Sequence, residues 1–182
     1  MRKAEHRGNR VGTERTEIGE GTERTSSYVQ VAIPPEWNRI TERVIGLAMT
    51  VHSELGPGLL ERLYEDALCI EMELAGVRFQ RQLAVRPRYK GALLSEMRLD
   101  LVVEDFLVLE LKSVSAVPDV QLSQLNSQLK AAGFPLGLLI NFYNLRLKDN
   151  IFRRMNAAAC PKHNQSPSSV PSVPAPSTLC SS

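Results

Sequence analysis

The sequence predicts an α/β domain between two polar flanks, and three observations carry that expectation. Apolar residues recur at helical spacing in three stretches, each closed by a glycine. Two short segments, Leu99–Val103 and Leu107–Lys112, read as β-strands. A short apolar run from Leu136 to Phe142 is of the kind found in a buried strand.

Residues 1–35 are polar and repetitive. Gly12-Thr13-Glu14-Arg15-Thr16 recurs as Gly21-Thr22-Glu23-Arg24-Thr25. Such composition builds no packed core and reads as a disordered arm. Residues 157–182 are Ser/Pro-rich and read as a disordered tail, which leaves 36–156 as the folded unit.

Within that unit a first helix starts near Pro35-Glu36. It carries Ile40, Val44, Ile45, Ala48, Met49, His52 and Leu55 at helical spacing, and Gly56-Pro57-Gly58 ends it. A second helix runs from Leu60 to Ala75 and closes at Gly76. Val77 to Tyr89 reads as a strand, with Lys90-Gly91 as its turn. The two charged strands follow. Pro118 opens a third helix that reaches Ala132 and stops at Gly133. After the apolar run, Leu145–Lys148 is expected as an edge strand, and the segment near Arg153 suits helix or strand equally.

The length of 182 residues suits one domain with a real core. No apolar run approaches the ~18 residues that cross a bilayer, and the first residues lack the apolar stretch of a signal peptide. A cytoplasmic protein is therefore expected. The net charge is +2, and Glu36–Asn156 balances 15 Lys or Arg against 15 Asp or Glu. That balance argues against a dedicated nucleic-acid-binding module, which carries a basic patch. It counts less against a metal enzyme, whose ion supplies local positive charge. Cys69 falls within a helical apolar pattern and reads as core. Cys160 and Cys180 fall in the tail, and no cysteine spacing suits a metal.

The most informative feature is the charge on the two strands. Asp100, Glu110 and Lys112 sit among apolar neighbours, where a charge needs a partner or a task. A two-residue loop at Glu104-Asp105 would set charge against apolar side chains on both faces. A three-residue loop, Glu104-Asp105-Phe106, sets Asp100 opposite Glu110, Val102 opposite Val108 and Arg98 opposite Lys112. In that register Leu99, Leu101 and Val103 share one apolar face, and the other face holds all the charge. The carboxylates then stand roughly 4.5–5.5 Å apart at Cβ. Their repulsion would be relieved by a bound cation. Two carboxylates and a lysine at D-x9-E-x-K spacing suit a divalent-metal site that cuts phosphodiester bonds. The competing reading is a buried structural ion network with Arg98 as counter-charge.

From spacing alone, Glu61 reads first as an acidic residue favouring a helix N-terminus. Gln121, Gln124 and Gln128 form a polar stripe beside Leu122, Leu125 and Leu129. Either that stripe is a solvated face, or Gln124 leans toward the charged strands to contact a phosphate or a metal-bound water. His52, on an apolar helix face, reads as a satisfied core residue rather than a ligand.

Gly58-Leu59-Leu60-Glu61-Arg62-Leu63-Tyr64 resembles the signature of the small bacterial and archaeal GxxExxY proteins, grouped with the PD-(D/E)XK nuclease superfamily. Val51-His52-Ser53-Glu54-Leu55-Gly56-Pro57, Asp100-Leu101-Val102-Val103, Glu110-Leu111-Lys112 and Gly137-Leu138-Leu139-Ile140-Asn141-Phe142 are similar to that family's other stretches. The resemblance implies a restriction-endonuclease-like αβββαβ core, with a mixed β-sheet flanked by helices. It implies that Asp100, Glu110 and the carbonyl of Leu111 bind Mg²⁺, with Mn²⁺ as a substitute. Lys112 would orient the attacking water or stabilise charge, and Glu61 would be the helix-borne acid facing the metal. Gln124 would take the glutamine position of the Q-x-x-x-Y pattern of recombination-type exonucleases. Two positions depart from the pattern: Leu99 replaces the proline before Asp100, and Gln128 replaces the tyrosine. The likeness begins near Ile40, so the N-terminal arm is open to being a start-site artefact.

The expected function is a Mg²⁺-dependent nuclease acting on DNA. The alternative is a nuclease-fold module that binds nucleic acid or a protein partner without cutting, and a third reading is a structural subunit. A homodimer remains open, and no membrane partner is expected.

Overall fold

The structure, a computed structural model, describes residues 33–161. The repeat-bearing arm up to residue 32 and the Ser/Pro-rich stretch from 162 lie outside the described residues.

Helix α1 spans Pro35–Leu55, with a proline in its first turn and Glu36 beside the helix N-terminus. Val44, Ala48 and Val51 face inward, and Gly56 at φ 72° turns the chain away. Helix α2, Glu61–Leu74, buries Tyr64, Leu68, Cys69 and Met72. The long strand expected over Val77–Tyr89 is divided. Strand β1 is Phe79–Val85, and after Arg86-Pro87 a short β2, Arg88–Tyr89, begins. A proline has no N–H to give to a ladder, so the main sheet stops there. Strand β2 pairs only with β3, Ala92–Leu93, around Lys90-Gly91. Strands β4 (Met97–Val103) and β5 (Leu107–Lys112) follow, then helix α3, Asp119–Ala132, and strand β6, Leu136–Asn141. Strand β7 is Ile151–Met155.

The main sheet has the order β1-β4-β5-β6-β7. β5 and β6 run parallel through the α3 crossover and every other pair is antiparallel, so the sheet is mixed, as expected. The edge strand is displaced from its expected place. Leu147–Asn150 forms a short 3-10 turn, not a strand. Asn144 and Asn150 bond to one another, and Asn150 bonds to the Arg146 carbonyl. Those side chains close a loop, and the strand-forming pair Ile151-Phe152 then opens β7.

Helices α1 and α2 cover one face of the sheet over Leu101, Val103, Leu109, Leu111, Ile140 and Phe142. Helix α3 covers the other over Leu99, Val102, Val108 and Leu139. Gly137 on β6 lets α3 approach closely: a Cβ there would lie 3.0 Å from Leu125 and 3.1 Å from Leu129. The folded part runs past residue 156. Asn156 donates to the carbonyls of Leu129 and Phe134, and Cys160, expected in the tail, is buried beyond a turn at Ala157–Ala159. Among the described residues no helix is long and apolar enough to cross a membrane.

The β4–β5 loop has the expected three residues, with Val102 opposite Val108 and Val103 opposite Leu107. The expected faces hold only in part. Leu101 and Val103 face α1 and α2, but Leu99 faces α3 together with Val102. The alternation therefore slips at Asp100. On the β1 side Arg81 pairs Leu101 and Leu83 pairs Leu99, skipping Gln82 and Asp100, and Gln82 has φ 49°. On the other side the β4–β5 ladder ends at Leu101 and Leu109. Asp100 and Glu110 share the expected register but form no ladder pair, and neither do Arg98 and Lys112. The twist of the β1–β4 ribbon carries β4 away from β5 at this point.

Candidate active site

The site is built at that fork. Where β4 departs, the N–H of Leu111 donates to Asp100 Oδ2 at 3.0 Å. The carboxylate stands in for a backbone partner that the ladder no longer supplies. Glu110, almost fully buried, presents one oxygen to Lys112 Nζ at 2.9 Å and the other to the Gln128 amide at 3.4 Å. The Lys112 ammonium also donates to the carbonyl of Leu111 at 2.8 Å and lies 3.7 Å from Glu61. Asp100, Glu110, Leu111, Lys112 and Glu61 thus come together.

Glu61 reaches the cluster because the loop before it is fastened twice. The Tyr64 hydroxyl donates to the Gly56 carbonyl at 2.7 Å and accepts the Leu59 N–H at 3.0 Å. Its ring is fully buried and stacks on Phe142 at 4.4 Å. Ser113 Oγ then donates to the Leu59 carbonyl at 2.6 Å, tying the loop to the end of β5. Asn141, paired with Lys112 across β5 and β6, is fully buried and holds both backbone groups of Val114. The segment around Lys112 is thereby gripped from two sides.

The electrostatics follow from crowding acids in a half-buried place. Burial, with Glu110 next to it, pushes the Asp100 carboxyl up to about 6, against a partial pull from the Leu111 N–H and Lys112. Burial also raises Glu61, which Lys112 offsets in part. Burial alone would lower Lys112, but the hydrogen bond and charge of Glu110, with Glu61 and Asp100, leave it above an ordinary lysine.

Two carboxylates and a carbonyl make an all-oxygen donor set, the kind a hard divalent cation prefers. The Lys112 ammonium already collects two of these oxygens. Among the described residues no three His, Cys, Asp or Glu side chains converge on one point. A cation here would keep several waters, as Mg²⁺ does. The residues fit such an ion.

The structure places the other candidates elsewhere. Gln124 is exposed on α3, and Gln128, one turn on, is the glutamine that reaches Glu110. The Oε1 atoms of Gln121 and Gln128 are buried without a hydrogen-bond partner. Arg98 pairs with Glu96 on the surface and does not join the cluster. His52 is half-buried and bonds to the Asn144 carbonyl. Sequence reasoning missed Ser113, the clamp at Asn141 and the brace behind Asp100. In that brace Arg81 bonds Glu65 and Asp66, and Gln82 bonds the other Glu65 oxygen. A polar Asn closing an apolar run was the available signal for Asn141. Nothing in the sequence announced the brace.

The mixed five-stranded sheet with helices on both faces defines an α/β class of domain, and comparison with known families agrees. A model described as the PD-(D/E)XK nuclease superfamily matches residues 38–155, from within α1 to the end of β7. The chain belongs to the PD-(D/E)XK nuclease superfamily. Comparison with curated proteins gave no match, and neither did comparison with solved structures.

Proposed function

We propose that this chain is a divalent-metal-dependent nuclease that hydrolyses phosphodiester bonds of DNA. The observation that carries this reading is the gathering of Asp100, Glu110, the Leu111 carbonyl and Lys112 where β4 leaves β5. Asp100, Glu110 and the Leu111 carbonyl would hold Mg²⁺, with Mn²⁺ as a substitute. When bound, the ion would supply Lewis acidity and positive charge beside the scissile phosphate.

The chain's own residues have separable roles. The Lys112 ammonium, held by Glu110 and the Leu111 carbonyl, orients a water or offsets charge growing on the phosphate. Glu61 holds that ammonium from the α2 side. The Gln128 amide fixes the second oxygen of Glu110, while Gln124, exposed beside it on α3, is available to a phosphate.

One observation favours a second reading, a module that binds without cutting: the Lys112 ammonium pairs with Glu110 at 2.9 Å and so offsets its charge. The deciding experiment incubates labelled single- and double-stranded DNA with the purified chain in Mg²⁺, Mn²⁺ or EDTA, beside Lys112→Ala. Cutting that needs metal and vanishes in the variant is the expected result. No cutting on either substrate with either metal, together with no metal-dependent rise in melting temperature, moves the assignment to the binding module.

A further inference from the structure

The overall charge balance conceals a segregation. Between Val85 and Leu99 lie Arg86, Arg88, Lys90 and Arg98 against a single acid, Glu96. The rest of Glu36–Asn156, neutral as a whole, therefore carries an acid excess. Arg86, Arg88 and Lys90 occupy the tip of the β1–β4 ribbon, beyond the last ladder pair at Val85 and Met97, while Arg98 pairs with Ala84 just inside it. There β2 and β3 form a two-stranded sheet of their own. Lys90 and Gly91 both have positive φ, the tight turn that suits a two-residue hairpin loop. A lysine in that conformation is disfavoured, yet it stands at the apex. The Leu94 N–H closes the base of the tip on the Pro87 carbonyl at 2.8 Å.

Every residue from Arg88 to Glu96 is exposed. Tyr89 is 61 % exposed, and Lys90 Nζ lies over its ring, 5.4 Å from the centroid. An exposed aromatic ring among cations, with Lys90 over one face and the other face free for a base, is the combination that grips a nucleic-acid strand. The tip also leads to the fork. At ~3.3 Å per residue, β4 carries the chain roughly 10 Å from Met97 to Asp100.

We infer that the β2–β3 tip is a grip for single-stranded nucleic acid, with Arg86, Arg88 and Lys90 on phosphates and Tyr89 stacked on an unpaired base. This names the substrate-holding element of the nuclease proposed above and rests on that reading. A base in a duplex is already stacked on its neighbours, so the ring selects for a single strand.

The test measures binding of the full chain in EDTA to fluorescent oligodeoxythymidylate and to a duplex of equal length, across a salt series. Each variant is first checked for an unchanged melting temperature, as befits exposed positions. The double variant Arg88→Ala, Lys90→Ala should flatten the slope of log K against log salt by about 1.4 for the single strand, two phosphates at about 0.7 each. Tyr89→Ala should weaken single-strand binding about 10-fold and leave duplex binding nearly unchanged, while Tyr89→Phe binds as the parent. An unchanged slope, a Tyr89→Ala chain that binds like the parent, or a parent that binds neither oligonucleotide overturns the grip. So does a tip whose loss abolishes binding to phosphatidylserine vesicles but spares the oligonucleotide. Metal-dependent cutting with tip variants that bind normally sinks the grip alone. Tip-dependent binding in EDTA without cutting in any metal keeps the grip and sinks the nuclease.

Discussion

Gln82 lies across the β1–β4 ribbon from Asp100, at the register position where the ladder skips a pair. Gln82 has φ 49°, a conformation that a side chain rarely adopts, and its amide is moored to Glu65. Glu65 is itself held by Arg81. The strain and its mooring sit directly behind the carboxylate that opens the candidate site.

Glycine adopts the Gln82 conformation freely and valine does not. Both substitutions lose the bond to Glu65, so their difference isolates the backbone. Gln82→Val is expected to be less stable than Gln82→Gly by about 1–2 kcal/mol. Denaturant melts of the two variants decide it, and equal midpoints would mean that the kink carries no strain.

Asp100 makes the metal-free fold sensitive to pH with a definite sign. Its folded carboxyl titrates near 6, above the ordinary 3.8, so the folded state binds the proton more tightly than the unfolded chain. This group therefore favours folding as pH falls through that interval and withdraws the benefit as pH rises toward 6. Asp100→Asn retains an acceptor for the Leu111 N–H and removes the titration. In EDTA the variant should melt a few degrees higher than the parent at pH 7.5, with the gap closing by pH 4. An equal gap at both values would separate the effect from ionisation.

Tyr64→Phe keeps the stack on Phe142 and deletes the hydroxyl that ties Gly56 to Leu59. Two backbone groups lose their partner, so the fold should lose about 1–2 kcal/mol. Glu61 would also lose its fixed position. Any metal-dependent cutting should then fall more than stability alone accounts for, measured at a temperature where the variant is fully folded.

Gly137→Ala should destabilise by about 1–2 kcal/mol, since its Cβ would press into Leu125 and Leu129. Thermal melts would register it. A neutral result would show that α3 moves off β6 at little cost, and the Gln128–Glu110 contact would then be expected to shift with it.

Much of this was legible because it is local. Pro118 and Gly133 bound α3, Gly56 bounds α1, and the length of the Glu104–Phe106 loop sets the β4–β5 register. The spacing of Asp100, Glu110 and Lys112 survives into the fold as a real cluster. The rest depends on partners that no local pattern names. Strict alternation put Leu99 with Leu101, but the twist needed to dock β1 turns Leu99 toward α3. Gln121, Gln124 and Gln128 look alike on a helical stripe. The seating of Leu125 and Leu129 against Gly137 turns Gln128 inward and leaves Gln124 outside. Composition sums charges that the fold keeps apart, so the basic tip vanished into a neutral total.

The cluster joins Glu61 on α2 to Asp100 and Glu110 on the β4–β5 hairpin, far along the chain, and its support at Asn141 lies on β6, beyond α3. Contacts between remote segments are closed late in folding, after the loops joining them have been ordered. A nascent or half-unfolded chain therefore holds the ingredients of the centre without the centre. The chemistry proposed for the cluster stays dormant until the whole domain has assembled.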